Sequence, residues 1–133
     1  MECDSILTSI KGSIGIVEED TSFDAQIIMH INSVFMILNQ LGVGPEKCFS
    51  ISDANSTWSD FISSGGNIQS VKTYMGLKVR LMFDPPTSSS VMDAMNRMIS
   101  ELEWRLNIEG DMHTAEQNKT ALQDISDKLD NLV

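Results

Sequence analysis

Residues with reactive side chains are few and scattered. The chain has two histidines, His30 and His113, and two cysteines, Cys3 and Cys48. A zinc site draws its ligands in short-spaced pairs, and a zinc hydrolase helix carries two histidines one turn apart with a glutamate between them. Neither spacing occurs here. A cysteine nucleophile needs a base to take its proton, and nothing in the spacing brings a histidine to Cys48. Glycine-rich phosphate loops and the Gly-x-Ser-x-Gly elbow are missing from the sequence. Glu18-Glu19-Asp20 is the densest carboxylate run, but no calcium-loop spacing follows it, so it is read as solvated charge. His30, near the edge of a helical stripe, reads as bonded locally or to water. No catalytic residue, cofactor or metal is expected, and a small enzyme with a cryptic acidic site is the least supported class.

What remains is surface chemistry. The 133 residues hold 19 acids and 9 bases, a net charge of −10. Wrapping the outside of DNA needs a cationic patch, so that role is excluded. The charge is uneven. Residues 1–62 carry nine acids and two bases; residues 63–109 carry five of each; residues 110–133 carry five acids and two bases. All five bases of the middle segment fall between Lys72 and Arg105, with Lys78, Arg80 and Arg97 between them. An acidic molecule with its bases in one band can pair with its own copies, base to acid. The acidic start, Met1-Glu2-Cys3-Asp4, lacks the basic head of a signal peptide, and no apolar run approaches the ~18 residues of a membrane span. Two cysteines so far apart make no disulfide framework, which fits reduced thiols in a cytoplasm.

These surfaces must be held by helices. Ile6, Leu7, Ile10 and Ile14 share a face, with Asp4 as cap. Thr21-Ser22-Phe23-Asp24 reads as a capping box opening a helix to about Leu41, whose main stripe is Phe23, Ile27, Ile31, Val34, Leu38 and Leu41. Met29 and Met36 lie a heptad apart on the other side, and Gly42-Val43-Gly44-Pro45 stops the helix. Residues 46–66 are irregular, with a short helical piece at Thr57–Ile62 capped by Ser56 or Thr57. A third helix spans Ile68 to Phe83 and ends before Asp84-Pro85-Pro86. Val71, Met75 and Val79 line one side of it; Tyr74, Leu77 and Leu81 line another. Such a helix is central to a bundle, or its second side meets another subunit.

A second capping box, Ser90-Val91-Met92-Asp93, opens a helix to about Leu106, closed by Gly110-Asp111. Its stripe is Val91, Met92, Met95, Met98, Ile99, Leu102 and Leu106, with Trp104 pointing nearly opposite. Beyond it, Leu122, Ile125, Leu129 and Leu132 form a thin stripe on a polar arm, too narrow for a core helix. The expectation is an all-α bundle of about four helices over residues 1–109 with an acidic C-terminal arm, 110–133, extended or helical, that is disordered or frayed alone.

Phe83-Asp84-Pro85-Pro86-Thr87-Ser88-Ser89, followed by a helix ending Glu101-Leu102-Glu103-Trp104-Arg105-Leu106-Asn107, resembles the head–tail connector (adaptor) proteins of tailed phages. Asp20-Thr21-Ser22-Phe23-Asp24 with Ile27-Ile28 and Ile31-Asn32, and Gln40-Leu41-Gly42-Val43-Gly44, fit the same pattern. The resemblance covers roughly residues 4–109. It implies a helical virion protein forming a head-to-tail ring of about twelve copies under the portal. It further implies a place in the neck at the head–tail interface, assembly in the host cytoplasm, and a C-terminal arm sent toward the portal. The partners would be the portal and a downstream neck or tail-completion protein. Genome DNA would pass without specific binding, because acidic walls repel phosphate.

From these premises Tyr74, Leu77, Leu81, Arg80, Arg97, Trp104 and Arg105 are expected at the subunit interface. Glu18, Glu19, Asp20, Asp53 and Asp60 are expected to face the channel. Leu122, Ile125, Leu129 and Leu132 are expected to dock on the portal. The competing class is a cytoplasmic acidic helical protein–protein binding module, such as a regulator-like dimer.

Overall fold

A computed structural model of the chain describes residues 5–62 and 68–131, with side chains outside 109–118. Among the described residues five helices follow one another: α1 (Ile6–Ser13), α2 (Asp24–Gln40), α3 (Trp58–Phe61), α4 (Ile68–Phe83) and α5 (Ser89–Asp130). Among the described residues there is no strand, only an isolated bridge between Ser5 and Thr57. The protein is all-α and its helices form a small bundle, as the periodicity predicts.

Helix ends follow local chemistry. Ser5 caps α1 by accepting from the Thr8 N–H; Asp4, the expected cap, lies outside the described residues. The capping box expected at Thr21 does not form, and Phe23, with no side-chain bond, stands before α2. Two acids are diverted. The Asp20 carboxylate accepts the Ser22 N–H at 3.1 Å, and Asp24 is taken by Lys11 instead of reaching back. Helix α2 stops where Gly42 turns to a φ of 82°. Gly44 is also left-handed, at 94°, and its missing Cβ leaves room for the Phe61 ring. Thr57 caps α3 with a full capping box through Asp60. The cap of α5 is Ser88, two residues earlier than expected, accepting from Val91 N–H at 3.4 Å.

Helix α4 is the central element, packing on α1, α2 and α5. Both of its apolar sides are therefore used inside the subunit. Val71, Tyr74, Met75 and Val79 are buried, together with Ile27, Ile31, Val34, Phe35 and Leu38 of α2 and Ile6, Leu7 and Ile10 of α1. The irregular stretch after α2 is tied down by specific contacts. Asn32 brackets Ile51, its amide donating to the Ile51 carbonyl at 2.9 Å and accepting its N–H at 2.8 Å. Phe35, Phe49 and Phe61 form a ring cluster with centroids 4.8–5.5 Å apart. Trp58 is buried, and its indole N–H donates to Ser9 Oγ at 2.8 Å, joining α3 to α1.

Lys11 is the one charged residue in the core among the described residues, at 2% exposure. Its Nζ sits 2.9 Å from Asp24 Oδ1 and donates to the Glu18 carbonyl at 2.9 Å. A buried ammonium is costly unless paired and hydrogen-bonded. Here both conditions hold, and the α1–α2 connection closes over the pair.

Candidate interaction surface

The five bases of the middle band lie on α4 and α5, but most are already engaged at home. Lys72 sits over the Trp58 ring, 5.8 Å from its centroid. Lys78 lies 3.7 Å from Glu103 Oε1. Arg105 pairs with Glu101 one turn back at 2.7 Å, and Arg97 Nε donates to the Asp93 carbonyl at 3.5 Å. Arg80 is exposed and makes no ion pair among the described residues. Exposed pairs of this kind contribute about 0–1 kcal/mol each, so they can be exchanged for partners on another chain at little cost.

Tyr74 does not belong to an outer face. It is fully buried, and its hydroxyl donates to Glu103 Oε1 at 3.0 Å, bridging α4 to α5. Burial, then the Glu103 bond and charge, push its ionisation above the ordinary tyrosine value. The side of α4 read as free is covered by α5, and the sequence holds no signal for that pairing beyond α4's second apolar side. Leu77 and Leu81 are half-buried and pack against the core from its margin. What α4 and α5 leave outside is a groove of about 280 Å³ lined by Gln69, Ser70, Thr73, Met98, Leu102 and the Glu101–Arg105 pair.

The expected stripe of α5 is narrower than its sequence suggests. Met95, Ile99 and Leu106 are buried, while Val91 and Met98, read as core, are exposed. Trp104 is 66% exposed, on the other side of the helix, as its register requires. Met29 and Met36 are exposed as well.

Glu18, Glu19, Asp53 and Asp60 are exposed, and Asp20 is half-buried. Three of these acids have local duties. Asp20 is bonded by the Ser22 side chain and then by the Ser22 N–H, which together keep its carboxyl below the ordinary value. Asp53 accepts from Asn55 N–H at 2.9 Å, and Asp60 from Thr57 N–H at 2.9 Å. They lie on the α1–α2 connection, the stretch before α3 and α3 itself.

Helix α5 does not close at Gly110-Asp111. It continues to Asp130. An interior glycine costs about 1 kcal/mol relative to alanine, which weakens a helix without ending it. No proline follows to force a stop. Leu122, Ile125 and Leu129 are exposed on this extension, at 67%, 55% and 59%; Leu132 lies outside the described residues.

Chemical centres are not gathered anywhere described. No group of three or more His, Cys, Asp or Glu is placed to hold a metal ion among the described residues. Cys48 is free and exposed, while Cys3 lies outside the described residues. His30 Nε2 is enclosed without a hydrogen-bond partner, so the local bond expected of it is not made at that nitrogen. No described helix is long and apolar enough to cross a membrane.

The family model described as "Phage connector protein" matches residues 6–113, which takes in the bundle and the start of the α5 extension. No curated protein and no solved structure matches the chain.

Proposed function

The chain belongs to the phage connector protein family, and from that premise we propose that it is a structural virion protein, a head–tail adaptor whose copies ring the DNA path beneath the portal. Membership in the family carries this reading. It makes the chain a part of the phage particle that works with other head and tail proteins. The proposed ring holds about twelve copies in head-to-tail cyclic symmetry.

In this ring the outer margin of α4 and α5 meets the next subunit. Leu77 and Leu81 supply the apolar edge and Arg80 a cation that has no ion pair among the described residues, with Arg97 able to change partners. The acids Glu18, Glu19, Asp20, Asp53 and Asp60 line the channel, where negative walls let DNA slide. The acidic extension from 110 onward reaches toward the portal, and the opposite side of the ring takes the downstream neck or tail-completion protein.

Native mass measurement of the purified chain, alone and with portal protein, tests the proposal. A high cyclic oligomer, or a monomer that closes into a ring only on the portal, is expected. A tight dimer indifferent to the portal would overturn it in favour of a regulator-like binding module. Particle necks imaged by electron microscopy then give the radial position of the five acids; lysines at the channel wall would reject their assignment.

A further inference from the structure

Residues Trp104 and Leu122 are eighteen apart. At 100° per residue this is five whole turns, so both point the same way along α5. Ile108, Ile125 and Leu129 fall within about 60° of that bearing. The buried residues Met95, Ile99 and Leu106 lie about 150° from it, on the side that faces α4. One helix thus has two apolar bearings: one spent on its own bundle, the other facing outward along about 38 Å of axis from Trp104 to Leu129.

The outward bearing follows a heptad register. Trp104 and Ile125 take one core position, and Ile108, Leu122 and Leu129 the other. All five are exposed. The core positions between them are Asp111, Ala115 and Asn118, so the apolar contacts fall at two ends of one line. The flanking positions carry Arg105, Lys119 and Lys128 and no carboxylate, in a chain with 19 acids. Asp124, Asp127 and Asp130 take the outer positions of the register instead. Flanking charges select the partner of such a seam. A second copy of α5 in the same register would offer no acid to these three cations, so a second α5 is the wrong occupant.

We infer that α5 carries a single docking seam, from Trp104 to Leu129, for a partner helix whose apolar stripe is flanked by carboxylates. This deepens the portal-docking proposal and rests on it only for where that partner resides. The seam extends onto the bundle itself, so the arm is not a separate docking element.

Two synthetic helical peptides test it on the full-length chain. They share leucine and isoleucine at the core heptad positions; one has glutamate at the flanking positions, the other lysine. Trp104 emission is the readout, with Trp104→Phe as control, since Trp58 is already buried. The glutamate peptide should shift Trp104 emission to the blue and bind about tenfold tighter than the lysine peptide, the sum of a few flanking pairs. High salt should narrow that gap. Lys119→Glu with Lys128→Glu should reverse the preference while far-ultraviolet circular dichroism stays unchanged. Equal binding of both peptides, or binding of neither, overturns the inference. So does a dimer of the free chain that Leu122→Ser and Ile125→Ser abolish. Portal attachment is measured separately. If deletion of 112–133 leaves it unchanged while the glutamate peptide still binds the full chain, the portal assignment fails and the seam stands.

Discussion

Up to Leu106, α5 is a bundle helix: Met95, Ile99 and Leu106 are buried against the rest of the subunit. From residue 119 to 131 every side chain is exposed. The two stretches belong to one helix and obey different physics. The first is held by tertiary burial. The second has only propensity and short-range pairs such as Gln123 Nε2 to Asp127 Oδ1 at 3.1 Å. Helices of this length without packing are marginal in water. The contrast teaches where the molecule's stability resides and where apolar surface is left unspent. The same split separates the two tryptophans, Trp58 inside and Trp104 outside.

The comparison breaks most visibly at Trp58. Trp58→Ala empties a buried site and removes the indole's bond to Ser9, and it should cost about 3–5 kcal/mol in urea unfolding. A loss under 1 kcal/mol would mean that α3 is not part of the cooperative core. Next in size is Lys11→Met. It leaves the Asp24 carboxylate facing the core without its cation, at about 3 kcal/mol, the lower end for a buried pair because Asp24 is a quarter exposed. Adding Asp24→Leu should recover part of that loss. A double variant no better than the single one would show that the pair is not the source.

A smaller effect is expected at Tyr74, the chain's only tyrosine. Its phenol ionises above the ordinary value of about 10 in the fold and near it in the unfolded chain. The unfolded state therefore loses its proton first as pH rises, and stability that is whole below pH 10 falls above it. Phenolate absorbance of the native chain should lag behind that of the denatured chain on alkaline titration. Tyr74→Phe should remove the phenolate signal altogether and cost about 1 kcal/mol at neutral pH. A native titration at the ordinary value would contradict the burial of the hydroxyl against Glu103.

Much of the bundle was legible because its elements are strongly periodic and sharply punctuated. The limits of α4 follow from Ile68, Val71, Met75 and Val79 at helical spacing and from Asp84-Pro85-Pro86. The end of α2 follows from Gly42, whose φ of 82° is the reason for the glycine. Tyr74 was misplaced because a two-sided stripe does not say who covers the second side; α5 does, through Glu103. The buried Lys11 has no sequence signature, since its partner sits 13 residues on and across a turn. The caps at Thr21 and Ser90 failed because other groups took those roles: Lys11 claims Asp24, and Ser88 comes first before α5. The stop at Gly110 failed because a lone glycine weakens a helix without ending it. Leu122, Ile125, Leu129 and Leu132 are legible as a 3-4-3 stripe, but the alignment of Leu122, Ile125 and Leu129 with Trp104 needs α5 to be one uninterrupted helix.

The smallest expected effect is the most discriminating. Trp104→Ala removes the larger part of an indole, yet the side chain is 66% exposed and has no hydrogen bond or ring partner among the described residues. Surface substitutions of this kind change stability by about 0.5 kcal/mol or less. Leu122→Ala should behave alike, because its methyl groups are equally wet in the folded and unfolded free chain. The urea midpoint of both variants should match the parent's, while the Trp58→Ala midpoint collapses. Retained stability separates a residue kept for a partner from one kept for the core. Should Trp104→Ala instead cost more than about 1 kcal/mol, Trp104 would have to be packing within its own chain. The two ends of α5 would then no longer differ in what holds them.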